Sequence, residues 1–111
     1  MLLIDGHLDI ALNALVWNRD LRKDALAIRQ DEAGMTEKGR ARGTLGLPDL
    51  RRAEVAVSFV TVLARVKERT GEPSIDYRVH EAAYAHAQGE LAYYREMERQ
   101  GEIRIITDTA T

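Results

Sequence analysis

The sequence predicts an α/β fold built on a parallel sheet, and three patterns carry that prediction. A short apolar run opens the chain, and a nearly continuous apolar run at residues 55–63 is typical of a parallel strand covered on both faces. A long amphipathic helical pattern then leads to a further apolar run at residues 103–107. Strand, connection, strand, helix and strand is the order of right-handed parallel crossovers. The 111 residues suit one modest domain.

The first strand carries the candidate site. Apolar residues 1–4 lead into the segment DGHLD at residues 5–9, and turn-forming residues follow from Asn13. Because side chains alternate between the faces of a strand, His7 and Asp9 project to the same side, about 6–7 Å apart along the backbone. Zinc accepts both an imidazole and a carboxylate as ligands. On spacing alone a structural role is favoured, in which His7 caps the strand end and Asp9 opens the next turn, because His-x-Asp is a short and common pattern.

The connection between the first two strands, residues 11–52, is long, polar and mostly irregular. Residues 20–30 predict a short helix with an apolar side, and Pro48 predicts a single helical turn at residues 47–52. Residues 38–46 hold three glycines and three basic residues. They match neither a phosphate-loop spacing nor a dinucleotide-binding fingerprint, so a mobile loop is the favoured interpretation.

The second half contains the clearest strand, residues 55–63, and a polar turn at residues 67–73. Ser74 is then predicted to cap a helix that runs to about residue 100 and ends at Gly101. The predicted apolar stripe of this helix comprises Val79, Ala83, Ala87, Leu91, Tyr94 and Met97. Its predicted solvent side comprises Glu81, Glu90, Arg95, Glu98 and Arg99.

His80 and His86 imitate a zinc-protease helix motif without its spacing. That motif places two histidines four residues apart on one face. Six residues of separation rotate the second imidazole by about 240°, so a regular helix cannot bring both onto one metal. Surface or packing roles are predicted for both.

Composition limits the partners. The formal net charge is −2, which gives no steering field for nucleic acid or an acidic membrane. The chain has no cysteine, and no apolar run approaches the roughly 20 residues of a membrane helix. No secretory signal pattern opens the sequence. A cytoplasmic protein that binds neither nucleic acid nor membrane is therefore expected.

The segment IDGHLD at residues 4–9 resembles the opening of the membrane dipeptidase (renal dipeptidase) family of zinc metallopeptidases. A second segment, LPDLRRAEVAVSF at residues 47–59, is similar to that family's proline-led helical turn and second strand. The chain departs from the family where glycines and a Gln-Phe-Trp step are common, since Ala53, Ala56, Ser58 and Val60 occupy that region.

The resemblance implies a (β/α)8 barrel, which takes about 250 residues. Residues 1–111 would then be the N-terminal segment of one barrel peptidase domain, with about three of its strands. It further implies a two-zinc dipeptidase that attacks dipeptides through a metal-bound hydroxide, with His7 and Asp9 as ligands of one zinc. Asp5 and Trp17 are weaker candidates, for support of His7 and for an active-site loop, but a turn-forming Asp5 and a Trp17 that only covers the barrel rim fit as well. No catalytic acid or base is placed in this segment.

Two other functions stay open. One is another amidohydrolase-like barrel, and the other is a small non-catalytic α/β binding module in which His7 and Asp9 are structural. For the dipeptidase, the expected partners are a dipeptide, the remainder of the barrel and a second copy in a homodimer. The isolated segment is expected to be inactive, and poorly soluble or oligomeric, because an opened barrel leaves an unpaired edge and an uncovered apolar face.

Overall fold

A pair of parallel strands lies at the centre of the computed structural model, which describes residues 1–68 and 74–110. Strand β1 spans Leu3–Leu8, and strand β2 spans Val55–Val60. The register sets Leu3 opposite Val55 and Leu8 opposite Val60. Both predicted strands are thus present and parallel, although β2 ends three residues before the predicted limit. Their carboxyl ends lie at the same edge of the sheet.

Three short helices connect the strands: α1 at Ile10–Leu15, α2 at Ala25–Asp31 and α3 at Leu47–Arg52. Helix α3 has its proline in the first turn, as predicted. Helix α1 was not predicted. Helix α2 begins later than predicted because Asp24 caps it, accepting a bond from the Ala27 N–H at 2.8 Å.

The second half starts with two very short parallel strands, β3 at Arg65–Val66 and β4 at Asp76–Tyr77. Helix α4 follows at His80–Arg99. Most of the predicted polar turn lies outside the described residues. Ser74 does not cap the helix, because its hydroxyl accepts a bond from the Asp76 N–H at 3.0 Å and the chain continues as β4.

The end of α4 agrees with the prediction. Gly101 has a φ of +78°, which a residue with a side chain adopts at a cost. The Gly101 N–H bonds the Glu98 carbonyl, and the Glu102 N–H bonds the Met97 carbonyl, both at 2.9 Å. This pair of bonds is the Schellman arrangement that closes a helix.

The predicted third strand at residues 103–107 is wrong: no strand is assigned there. The Ile105 N–H, which a sheet would need, bonds the Glu98 carboxylate at 2.6 Å instead. A cleft of about 560 Å³ is lined by β2 on one side and by residues 102–106 on another. The segment therefore packs beside the core without joining the sheet.

The core lies between the connecting helices and α4. Its buried apolar cluster comprises Ile10, Ala11, Leu21, Ile28, Leu47 and Tyr94. The cover on both faces that is predicted for the second strand is lacking at the end of β2, where Phe59 is 64% exposed and Val60 is 40% exposed. An uncovered apolar face is what the sequence analysis expects of the segment taken alone. The described residues place no layer over that part of the sheet.

Candidate metal centre

The end of β1 brings the predicted ligand pair together. His7 Nε2 lies 3.3 Å from Asp9 Oδ1, so the two side chains share one side of the backbone. The His7 side chain is 73% exposed and that of Asp9 is 37% exposed. An accessible imidazole and carboxylate at this separation can approach a single divalent cation.

Asp5 and Asn13, which are close to the pair along the chain, bond its backbone rather than its side chains. Asp9 occupies the cap position of α1, yet its carboxylate makes no capping bond. Asn13 instead donates its side-chain amide to the Asp9 carbonyl at 2.7 Å. Asp5 accepts a bond from the His7 backbone N–H at 2.9 Å, so it supports the backbone of His7 rather than the imidazole. The Asp9 side chain therefore is not used to open the helix.

The carboxyl end of β2 contributes a contact that the sequence analysis missed. Thr61 donates its hydroxyl to Asp9 Oδ1 at 2.5 Å, and its N–H bonds the Leu8 carbonyl at 3.1 Å. Behind it, the Tyr94 hydroxyl donates to the Thr61 carbonyl at 2.7 Å and accepts from the Ala11 N–H at 3.1 Å. Burial raises the pKa of Tyr94, which keeps this hydroxyl protonated and able to donate.

Trp17 belongs to a packed ionic cluster next to the pair. The guanidinium carbons of Arg19 and Arg40 lie 4.8 and 5.0 Å from the centroid of its ring. Arg19 also donates to the Asn13 side-chain oxygen at 2.7 Å, and Asn13 holds the Asp9 carbonyl. Trp17 thus reaches the candidate site through two intervening side chains.

Glu32 is the anion of that cluster. It accepts two bonds from Arg19, at 2.7 and 3.0 Å, one from Arg40 at 3.2 Å and one from the Ala41 N–H at 2.9 Å. The hydrogen bonds from Arg19, the largest influence, lower the pKa of Glu32 to about 2. The cluster fixes the long connection that follows β1.

A second buried carboxyl, Glu90, lies on α4, and its predicted place on the solvent side is wrong because it is 0% exposed. Its Oε2 accepts a bond from the Leu63 N–H. Its Oε1 lies 3.5 Å from His86 Nε2, and neither of these buried atoms has a hydrogen-bond partner. Burial, the largest influence, raises the pKa of Glu90, against the lowering effects of Leu63 and His86.

Helical spacing is the signal that identifies Glu90. It continues the series Ala83, Ala87, Tyr94 and Met97 at intervals of three and four, so it belongs to the stripe that faces the core. Because glutamate is hydrophilic, Glu90 is predicted on the solvent side of the helix despite this spacing. His86 shares its burial, with an 11% exposed side chain and a bond between its Nδ1 and the Tyr77 hydroxyl at 2.8 Å.

Within residues 1–68 and 74–110, no group of three or more histidine, cysteine, aspartate or glutamate side chains is arranged to hold a metal ion. His7 and Asp9 are thus a pair to which these residues add no third side chain of those types. Among the same residues, no helix has the length and apolarity needed to cross a bilayer. No family model, curated protein or solved structure matches the chain.

Proposed function

We propose that this chain supplies the first-strand zinc ligands, His7 and Asp9, of a metal-dependent dipeptidase built as a (β/α)8 barrel. One observation carries the proposal: His7 Nε2 and Asp9 Oδ1 lie 3.3 Å apart at the carboxyl end of a parallel strand pair. Barrel enzymes bind substrate at the carboxyl ends of their strands. The resemblance of residues 4–9 to the membrane dipeptidases selects the dipeptidase among barrel hydrolases.

In this proposal the residues of the chain bind and orient, and none transfers a proton. His7 offers Nε2 to the metal, and Asp9 offers its carboxylate. Thr61 bonds that carboxylate from the protein side, and Asn13 bonds the backbone carbonyl of Asp9. Zinc, when bound, activates water and polarises the substrate carbonyl. Two protein ligands hold a metal weakly, so catalysis requires further ligands. We expect residues 1–111 alone to be inactive.

Zinc titration of the 111-residue chain tests the ligand assignment. With the imidazoles isotopically labelled, His7 signals are expected to shift with zinc, and His7→Ala and Asp9→Ala are each expected to weaken binding at least tenfold because half of the chelate is removed. His80→Ala is the matched control, since His80 is exposed and lies on α4. Equal affinity in the unsubstituted chain, His7→Ala and Asp9→Ala would refute the ligand assignment.

The hydrolase assignment needs the complete protein. Dipeptide hydrolysis that depends on zinc and is lost in His7→Ala supports it. Zinc binding without dipeptide hydrolysis, together with hydrolysis of another amide substrate, would favour a different amidohydrolase-like barrel. A complete protein that binds no zinc would favour the non-catalytic binding module.

A further inference from the structure

The geometry points to Thr61 as a positioning residue that holds the Asp9 carboxylate ready for its ligand. That Thr61 holds the Asp9 carboxylate is inferred from contacts in the structure. The effect on zinc binding rests on the proposed function. Thr61 Oγ1 donates to Asp9 Oδ1 at 2.5 Å across 52 residues of sequence. A carboxylate has about four acceptor positions, so this bond leaves room for a metal.

Asp9 needs such a restraint. An aspartate side chain has three staggered χ1 rotamers and a broad carboxyl torsion, and Asp9 makes no helix-capping bond that would fix either torsion. Its side chain is also 37% exposed, so packing restrains it only partly. The Thr61 hydroxyl therefore selects one orientation of the carboxylate, beside the His7 imidazole.

Thr61 is itself held firmly enough to act in this way. Its N–H bonds Leu8, the residue before Asp9, at 3.1 Å, and its carbonyl accepts a bond from the buried Tyr94 hydroxyl at 2.7 Å. The same hydroxyl accepts the Ala11 N–H at 3.1 Å. One tyrosine thus ties together the backbone on both sides of the Thr61–Asp9 contact. Threonine is β-branched, which further limits the rotation of its hydroxyl.

Thr61→Val and Thr61→Ser separate the hydroxyl from the shape of the side chain. Valine keeps the β-branched shape and removes the donor, whereas serine keeps the donor. In the 111-residue chain without metal, three-bond couplings of Asp9 are expected to report one χ1 rotamer in the unsubstituted protein and in Thr61→Ser. Thr61→Val is expected to show rotamer averaging. Unchanged Asp9 couplings in Thr61→Val would overturn the inference.

The zinc titration provides the second measurement. Thr61→Val is expected to weaken zinc binding at His7 about 10-fold or more, as does loss of other groups that orient metal ligands, and Thr61→Ser to restore most of it. Thermal unfolding of both variants checks that the fold is kept. Equal weakening in both variants would overturn the role of the hydroxyl.

The two measurements distinguish the two proposals. If zinc does not shift His7 signals but Thr61→Val releases Asp9, the ligand assignment fails and the positioning contact stands. If zinc binds and His7→Ala abolishes binding, but Thr61→Val matches the unsubstituted chain in affinity and couplings, only the positioning inference fails.

Discussion

Glu32 and Glu90 are the same residue type at nearly the same burial, 3% and 0% exposed, but they lie in regions that treat a carboxylate in opposite ways. Glu32, in the connection between β1 and β2, receives bonds from two guanidinium groups and a backbone N–H. Glu90, on α4, receives one backbone N–H and faces an imidazole at 3.5 Å. The pKa of Glu32 is lowered to about 2, and that of Glu90 is raised.

The difference shows that burial alone does not determine the charge of a carboxyl group. Burial raises the pKa in both cases, but permanently charged arginines that donate directly outweigh it at Glu32. At Glu90 the opposing groups are weaker, and burial is the larger influence. The connection thus stabilises the charged form of its carboxyl group, whereas the α4 region shifts its carboxyl group towards the neutral form.

Removal of the Glu32 carboxylate is expected to have the largest effect. Glu32→Ala leaves the buried side chains of Arg19 and Arg40, 7% and 15% exposed, without their anion. Loss of one member of a buried ionic group costs about 3–5 kcal/mol, so the free energy of unfolding in urea should fall by that amount. Glu37→Ala, at an exposed position of the same loop, should change it by less than about 0.5 kcal/mol. A loss below about 1 kcal/mol in Glu32→Ala would show that the cluster behaves as a surface ion pair.

Acid should weaken the same region, with an effect of about 3 kcal/mol. Because folding lowers the pKa of Glu32 from about 4.5 to about 2, its contribution to stability is complete above pH 4.5 and is lost as the pH falls towards 2. The measurement is the free energy of unfolding against pH for the unsubstituted chain and Glu32→Gln. The difference in free energy of unfolding between the unsubstituted chain and Glu32→Gln should decrease as the pH falls from about 4.5 towards 2. A difference independent of pH would contradict the assignment.

The sequence correctly predicted those parts of the fold that are determined by a short local pattern of a few residues. Pro48 lies in the first turn of α3, Gly101 closes α4, and the β-branched run of β2 forms a strand. The errors arose where a distant or competing partner decided the outcome. Ser74 bonds Asp76 instead of starting a helix, and the Glu98 carboxylate takes the Ile105 N–H that a third strand required.

The candidate site divides in the same way. The proximity of His7 and Asp9 follows from strand alternation, which is local. The Thr61 contact requires the register of β1 against β2, and a single sequence does not contain that register. The helical spacing of Glu90 predicts that it is buried, but the charge of a glutamate side chain led to the prediction that it is exposed to solvent.

Glu90 should respond to pH with the opposite sign from Glu32. Its pKa is raised on folding, so the folded chain binds the proton more tightly and its stability falls as the pH rises above about 4.5 through the raised value. Glu90→Gln should remove this dependence and keep the stability at pH 7, because its oxygen can accept from Leu63 and its amide can donate to His86. Glu90→Ala leaves the Leu63 N–H unpaired and should lose about 1–3 kcal/mol. The measurement is the free energy of unfolding between pH 4 and 8 for the unsubstituted chain, Glu90→Gln and Glu90→Ala. A steeper pH dependence in Glu90→Gln than in the unsubstituted chain would refute the role of Glu90.

The smallest expected effect concerns the ring that the two arginines share. The guanidinium carbons of Arg19 and Arg40 lie 4.8 and 5.0 Å from the Trp17 ring centroid, and phenylalanine presents a weaker quadrupole at the same position. Trp17→Phe should therefore lower the free energy of unfolding by about 0.5–1 kcal/mol, measured by circular dichroism because Trp17 is the single tryptophan of the chain. A double-mutant cycle with Glu32→Gln tests the mechanism. If Trp17 acts by holding the cations against Glu32, the two losses should not add, and additive losses would assign Trp17 an independent packing role.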